Sequence, residues 1–394
     1  MTRHNSQSGR NRFATIAVGA AKTETHPHRD GTNDVVPPIH LSTTFEWASG
    51  EDANEHDYSR ESNPTRAALE AQLARLEGGE HGLAFASGMA AISSTMLSLV
   101  PPNGHVVSSD TVYSGTEKLL TEHLAGHLGV DVDFVDARNP DNVADAVSSD
   151  TDLIWAETPS NPLLRLCDIR AIADIADDHD APFGVDGTFA SPYCQAPLEL
   201  GADVAVHSTT KYLNGHSDSI GGAVITDDGE VFERLAFAQR VGLGNMLSPF
   251  DCYLVARGVK TLPARMDRHE TNATAVARFL EGRDRIARVR YPGLESHPQH
   301  DLASEQMSGY SGMLSFEFDG TLVELEAFVR GLEVFTPGAS LGGVESLVEV
   351  PSLMIPEEFS RCEDSAEVPE TLVRVSVGLE DPDDLCEDLR TALP

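Results

Sequence analysis

One pattern governs residues 82–226. Apolar runs of strand length recur as "GLAFAS" (82–87), "HVVSS" (105–109), "DVDFVD" (131–136), "DLIWAE" (152–157), "PFGVDG" (182–187), "DVAVHS" (203–208) and "GGAVIT" (221–226). Helices are expected over 88–100, 115–128, 168–179 and 231–239. Strands joined by helical crossovers run parallel, so the expected fold class is α/β around a mostly parallel sheet. Upstream, "PTRAALEAQLARLEG" (64–78) reads as an amphipathic helix, with Pro64 at its start and Gly78 and Gly79 at its end. Downstream, a long helix is expected over 250–280, bent or broken at Pro263. The character then changes. "IARVRYP" (286–292), "GMLSFEF" (312–318) and "LVRVSVG" (372–378) read as strands, with helices near 321–331 and 382–392. The expected organisation is a polar, extended N-terminal arm (1–60), a large α/β domain (61–255) and a smaller C-terminal α/β domain (256–394).

Charge narrows the function. Asp and Glu number 63 against 28 Lys plus Arg, a formal net charge of −35. The acidic residues are dispersed rather than gathered in a tail, as in "DIADDHDAP" (174–182). Such a coat suits concentrated salt, where screening mutes self-repulsion, so a halophilic source is expected; an ordinary acidic cytosolic protein is the plainer alternative. Neither nucleic acid nor an anionic membrane is an expected partner. The five cysteines are odd in number and none is spaced C-x-x-C, so no disulfide framework or zinc site is indicated, and no metal is expected. The terminus "MTRHNSQSGRNR" has no apolar core of a signal peptide. The most apolar window, Leu83–Val100, is interrupted by Ser87, Ser93, Ser94 and Ser98 and reads as a buried helix rather than a membrane span. A cytoplasmic protein is expected.

Polar groups fall where strands should end, and ligand sites of open α/β sheets collect there. Ser87, Gly88 and Met89 follow "GLAFA" and open a helix, an arrangement that offers free N–H groups to a phosphate or simply makes a tight turn. Asp186 ends "PFGVD", as a buried carboxylate or as a helix cap. Ser208, Thr210 and Lys211 follow "DVAVH". The chain has only four lysines, Lys22, Lys118, Lys211 and Lys260, so one at a buried strand end asks for a chemical reason. Together these groups match the needs of pyridoxal phosphate: donors for a phosphate, a carboxylate for a pyridinium nitrogen, an amine for an aldehyde. Arginine cannot replace that amine, because guanidinium is too basic to lose its proton.

The stretches "HDYSRESNPTR" (56–66), "FASGMAAI" (85–92), "YSGT" (113–116), "ETPSNPLL" (157–164), "VDGTFASPYCQAPLELGADVAVHSTTKYLNGHSD" (185–218), "SLGGVESL" (340–347) and "LVRVSVGLED" (372–381) span nearly the whole chain in order. They resemble the Cys/Met-metabolism, or trans-sulfuration, family of fold-type I pyridoxal-phosphate enzymes, especially its cystathionine γ-synthases and γ-lyases. The resemblance implies an aspartate aminotransferase-like fold and pyridoxal 5′-phosphate as cofactor. It implies that Lys211 binds the cofactor aldehyde and moves protons, that Asp186 pairs with the ring nitrogen, and that Gly88, Met89, Ser208 and Thr210 hold the phosphate. Tyr113 would stack on the ring and serve as a base. Arg374, with Ser340 and Asn161, would hold the α-carboxylate of an amino-acid substrate. Tyr58 and Arg60 would reach the phosphate of a neighbouring subunit, so active sites would be shared in a homodimer, itself assembled into a tetramer.

The same resemblance implies γ-replacement or γ-elimination on homoserine-derived or sulfur amino acids. An O-acylhomoserine sulfhydrylase or methionine γ-lyase is the alternative, and a non-catalytic α/β binding protein a remote one. Gly115, two residues after Tyr113, resembles the cystathionine enzymes rather than the methionine γ-lyases, which carry cysteine there. Three departures point the other way: Ala339 stands where cystathionine enzymes carry Glu, Gly187 replaces the Asn of "DNT", and Met354-Ile355-Pro356 replaces "MTH". The distal pocket is therefore expected to carry less charge than the family pattern, with Lys118 and Arg165 as cations that could compensate.

Overall fold

The structure, a computed structural model, describes residues 13–19, 34–47, 56–354 and 367–393. Helix α1 (Pro64–Glu77) begins where Asn63 accepts hydrogen bonds from the N–H groups of Thr65 and Arg66, and ends at Gly78 in the left-handed conformation (φ 86°). Leu69, Leu73 and Leu76 turn inward. The window Leu83–Val100 is not one helix. It divides into β1 (His81–Phe85) and α2 (Gly88–Leu99), because the Ser87 hydroxyl accepts the Ala90 N–H and starts the helix there.

The main sheet continues with β2 (His105–Ser109), β3 (Asp131–Val135), β4 (Leu153–Glu157), β5 (Phe183–Asp186), β6 (Val204–His207) and β7 (Gly222–Thr226), in the order β1-β7-β6-β5-β4-β2-β3. The pairings β2–β3, β2–β4, β4–β5 and β5–β6 are parallel, while β7 runs antiparallel to both β6 and β1. Alternation along each strand feeds two cores. Leu153, Trp155, Val204 and Val206 meet Ile92 and Met96 of α2 on one face. Ile154, Ala156, Phe183 and Val185 meet Ile169 and Ile172 of α3 (Ile169–Asp178) on the other. The α/β architecture expected from the alternating pattern is present.

The helix expected over 115–128 spans 114–128, but its middle, Leu119–Ala125, is a π-helical stretch, a distortion common beside functional sites. Helix α4 (Gly229–Phe237) precedes α5 (Pro249–Val259) and α6 (Leu262–Leu280). The long helix is thus broken just ahead of Pro263, which lies in the first turn of α6, where its missing N–H costs nothing. The Arg265 guanidinium locks the joint, donating to Thr261 Oγ1 and to the carbonyls of Gly258 and Leu213.

A second sheet holds β8 (Ile286–Arg290), β9 (Met313–Phe318), β10 (Thr336–Pro337), β11 (Leu347–Glu349) and β12 (Leu372–Ser376), in the order β10-β11-β12-β9-β8, antiparallel except for β10–β11. Helix α7 (Leu322–Arg330) contributes Phe328, and α8 (Pro382–Ala392) contributes Leu385 and Leu389, to the core around Phe316 and Val373. One further core mixes Leu69, Leu73 and Ala205 with Met313 and Leu341, so packing is continuous between the sheets. Residue 256 falls inside α5. Part of the N-terminal arm also departs from the extended form expected of it. Residues 13–19 are helical and bury Ala17, whose carbonyl accepts a hydrogen bond from Gln72 at 2.9 Å.

Candidate active site

The polar residues singled out at strand ends meet at one edge of the main sheet. Because β1 and β6 both oppose β7, their carboxyl ends lie together. A Cβ on Gly88 would stand 3.0 Å from Cβ and Oγ of Ser208. Likewise a Cβ on Gly222 would stand 2.2 Å from the Ser87 carbonyl oxygen. Two glycines therefore bring the first turn of α2, whose N–H groups have no intrahelical acceptor, against Ser208. The Ser208 N–H donates to Thr188 Oγ1 at 2.8 Å, and the Thr210 hydroxyl exchanges hydrogen bonds with both backbone groups of Gly221. The result is a small concave seat with a positive helix end, suited to phosphate.

Asp186 closes β5 next to this seat. Its carboxylate is buried and accepts the Thr188 N–H at 3.0 Å. Burial pushes its pKa up, with the bonds from Thr188 and the nearby His207 opposing. A desolvated carboxylate at a strand end favours a cationic partner, and a protonated ring nitrogen would supply one. Behind it, His207 Nε2 lies 2.8 Å from Glu77 Oε2, and both residues are buried. Gly187 has a local reason: a Cβ there would stand 2.9 Å from Cε1 of the His207 ring.

Lys211 follows β6 in a tight turn and points its Nζ at Ser340 Oγ, 2.7 Å away. Burial, helped by the Arg374 charge and opposed by Glu349, brings its pKa down from 10.5 to about 8. Ser340 is held at φ 97°, a left-handed conformation that ordinary side chains avoid. That twist lets it offer its hydroxyl to Lys211 and its carbonyl to Arg374 Nη2 (3.0 Å).

Arg374, on β12, is buried and donates from Nη1 to Asn161 Oδ1 at 3.0 Å. Its cross-strand neighbour Glu349 forms a short ion pair with it. Asn161 is fixed in turn by Glu157, a buried carboxylate at the end of β4. One Glu157 oxygen accepts the Asn161 N–H at 2.9 Å and the other accepts the Tyr113 N–H at 2.6 Å. Tyr113 is 44% exposed, so its ring is available to a ligand. Gly115 again has a steric reason, since a Cβ would stand 2.6 Å from the Tyr113 ring and 2.9 Å from Met89 Sδ. Sequence reasoning missed Glu157 and Glu349. The available signals were an acidic residue closing the apolar run "DLIWA" and one embedded in "LVEV" that could face an arginine in "LVRV".

Two expected site residues stand apart. Tyr58 and Arg60 lie on an exposed segment. The Arg60 guanidinium covers the Tyr58 ring at 5.4 Å, pairs with Glu61 at 2.8 Å and donates to the Arg240 carbonyl at 2.5 Å. The two possible compensating cations have acidic partners. Lys118 pairs with Glu122 (3.0 Å) and Arg165 with Asp110 (3.1 Å). Ala339 is exposed, and of the "MIP" departure only Met354 lies within the described residues.

A partly buried amine, a buried carboxylate and a glycine-lined anion seat at one edge of the main sheet, with an arginine clamp supplied by the second sheet, fit pyridoxal phosphate. Comparison with known proteins agrees. Residues 15–394 match the profile of the Cys/Met metabolism PLP-dependent enzymes, and the chain belongs to that family. It is 44% identical to the cystathionine γ-lyase of Dictyostelium discoideum, over 92% of this chain and 93% of that protein. Among solved structures it resembles the cystathionine γ-synthase of Xanthomonas oryzae in complex with cystathionine (TM-score 0.92, 40% identity, 97% of each chain). It also resembles the cystathionine γ-lyase of Lactobacillus plantarum complexed with L-serine (TM-score 0.89, 39% identity, 96% of this chain and 98% of that one). The chain is thus a pyridoxal-phosphate-dependent enzyme of the trans-sulfuration group.

Proposed function

We propose that this enzyme carries out γ-elimination on cystathionine, releasing cysteine, 2-oxobutyrate and ammonia with the uptake of one water. The observation that carries the reading is the desolvated Lys211 amine, 2.7 Å from Ser340, whose carbonyl in turn holds Arg374. Bound pyridoxal phosphate supplies an aldehyde and a ring that accepts electrons from the substrate Cα. The protein supplies the rest. Arg374 and Asn161 orient the α-carboxylate, Lys211 carries protons between Cα and the neighbouring carbons, and Tyr113 flanks the ring as a second base. Gly88, Met89, Ser208 and Thr210 seat the phosphate, and Asp186 holds the ring nitrogen. The 44% identity to a named γ-lyase supports elimination over replacement.

The second reading, γ-replacement of an O-acylhomoserine by cysteine, is favoured by the 40% identity to a γ-synthase structure. A substrate panel separates them. Purified protein given cystathionine alone should release 2-oxobutyrate. Cystathionine accumulating only from O-acylhomoserine plus cysteine would replace the first reading with the second, and activity with sulfide alone would indicate a sulfhydrylase.

The enzyme works, in this reading, in the cytoplasm as a homo-oligomer, a dimer of chains that share active sites and pair into a tetramer. Arg60 and Tyr58 lie beside the 237–250 segment, where Phe237, Val241, Leu243 and Phe250 are exposed apolar side chains of the kind an interface covers. Among the described residues no helix is long and apolar enough to cross a membrane. A catalytically active monomer in sedimentation would remove the shared-site assignment.

A further inference from the structure

The molecule has a second concave feature, away from the lysine. A cleft of about 840 Å³ opens between β8, an edge strand of the second sheet, and the loops that follow β3 and β4 of the main sheet. Four arginines line it: Arg138, Arg165, Arg288 and Arg290. In a chain with a formal net charge of −35 and 28 Lys plus Arg, that concentration runs against the composition. The arginines come from three separate stretches of chain, so no single amphipathic element accounts for them. Asp136 and Glu281 are the acidic residues of the lining itself.

Three of the arginines already hold a carboxylate: Arg138 with Asp136, Arg165 with Asp110 and Arg290 with Glu317. Two groups are left over. Arg288 is exposed and has no ion pair among the described residues, and the buried Nε of Arg290 has no hydrogen-bond partner. The charges of Arg288 and Arg165 both bear unfavourably on the Arg290 cation. An anion in the cleft would relieve that repulsion.

We propose that this cleft binds a phosphate-bearing small molecule, with Arg288 and Arg290 as its principal contacts and Ile286, Ala287 and Val289 as an apolar wall for the organic part. Phosphate suits the site better than a single carboxylate. A carboxylate would exchange like for like with Asp136 or Glu317, whereas a phosphoryl group brings nearly two charges and three acceptor oxygens, enough to span two guanidinium groups. The volume lies within the range of ordinary small-molecule sites. The location also links to the catalytic face. Arg165 donates to Asp110 and Thr111, two residues before Tyr113, and four residues before Arg165 the Asn161 side chain touches Arg374.

The test is calorimetric titration of inorganic pyrophosphate into the cofactor-loaded protein at low ionic strength, with the phosphate seat of the active site already filled. Binding of one pyrophosphate per chain is expected, weakened at least about tenfold in Arg288→Gln, which is about 1.4 kcal/mol. Arg288 is exposed and unpaired, so this variant should keep the parent's melting temperature and its basal turnover. Arg290→Gln should weaken binding in the same way. Adenosine diphosphate binding more tightly than pyrophosphate would assign the apolar wall to an organic phosphate; equal affinities would assign the site to free phosphates. No binding heat, or parental affinity in Arg288→Gln, would overturn the site. Citrate binding as tightly as pyrophosphate would overturn its phosphate preference.

Discussion

The Lys211 side chain illustrates how one placement changes reactivity. On a surface its amine would stay protonated to about pH 10. Buried beside Arg374, it titrates near 8, so it is mostly cationic below that pH and neutral above it. Only the neutral form attacks an aldehyde. Cofactor-free protein should therefore take up pyridoxal phosphate faster as pH rises through about 8, followed by growth of the cofactor's visible band. A rate that is flat between pH 6.5 and 9 would contradict the depressed pKa. Asp186 gives the complementary expectation. Its carboxylate lies desolvated with only Thr188 bonding it, so Asp186→Asn removes the charge that we propose faces the ring nitrogen. Loss of kcat/KM by about 100-fold is expected, with weaker cofactor retention on dialysis. Full activity in that variant would detach Asp186 from the cofactor.

At the scale of elements, the lysine is aimed by the helix joint behind it. The turn 211–215 is pressed between α5 and α6. A Cβ on Gly258 would stand 2.2 Å from the Asn214 carbonyl oxygen, and Arg265 reaches from α6 to the Leu213 carbonyl. The obstacle at Gly258 is backbone, not a mobile side-chain tip. Gly258→Ala should therefore cost about 1–3 kcal/mol of stability, read in denaturant unfolding, and should shift the cofactor's absorbance because Lys211 moves with its turn. Wild-type stability and spectrum would show that the joint does not set the lysine. The same logic applies to Gly115, crowded by the Tyr113 ring two residues before it, and to Gly187, crowded by His207 on the neighbouring strand.

For the whole molecule, the dispersed acidic coat is the dominant property. We propose that it adapts the enzyme to concentrated salt. Self-repulsion among 63 acidic residues weakens as the screening length contracts toward about 3 Å at molar salt. The melting temperature should rise as potassium chloride is raised from about 0.1 to 2 M. A fall, or no change, would assign the charge to solubility alone.

Much of this was legible in the residues themselves. Alternating apolar runs placed all seven strands of the main sheet, because strand and helix periodicities are local. The rarity of lysine singled out Lys211, and the order of motifs carried the family. Glu157 and Glu349 were not legible, because their importance lies in what they hold, Asn161 and Tyr113 in one case and Arg374 in the other, across 4 to 44 residues of chain. The arginine cleft was not legible either, since Arg138, Arg165, Arg288 and Arg290 come together only when the loops after β3 and β4 pack beside β8. A sequence states which chemical groups a chain possesses and which local shapes it prefers. Distances between groups far apart in the chain, and the burial that moves the lysine's proton affinity, exist only after the sheets have packed.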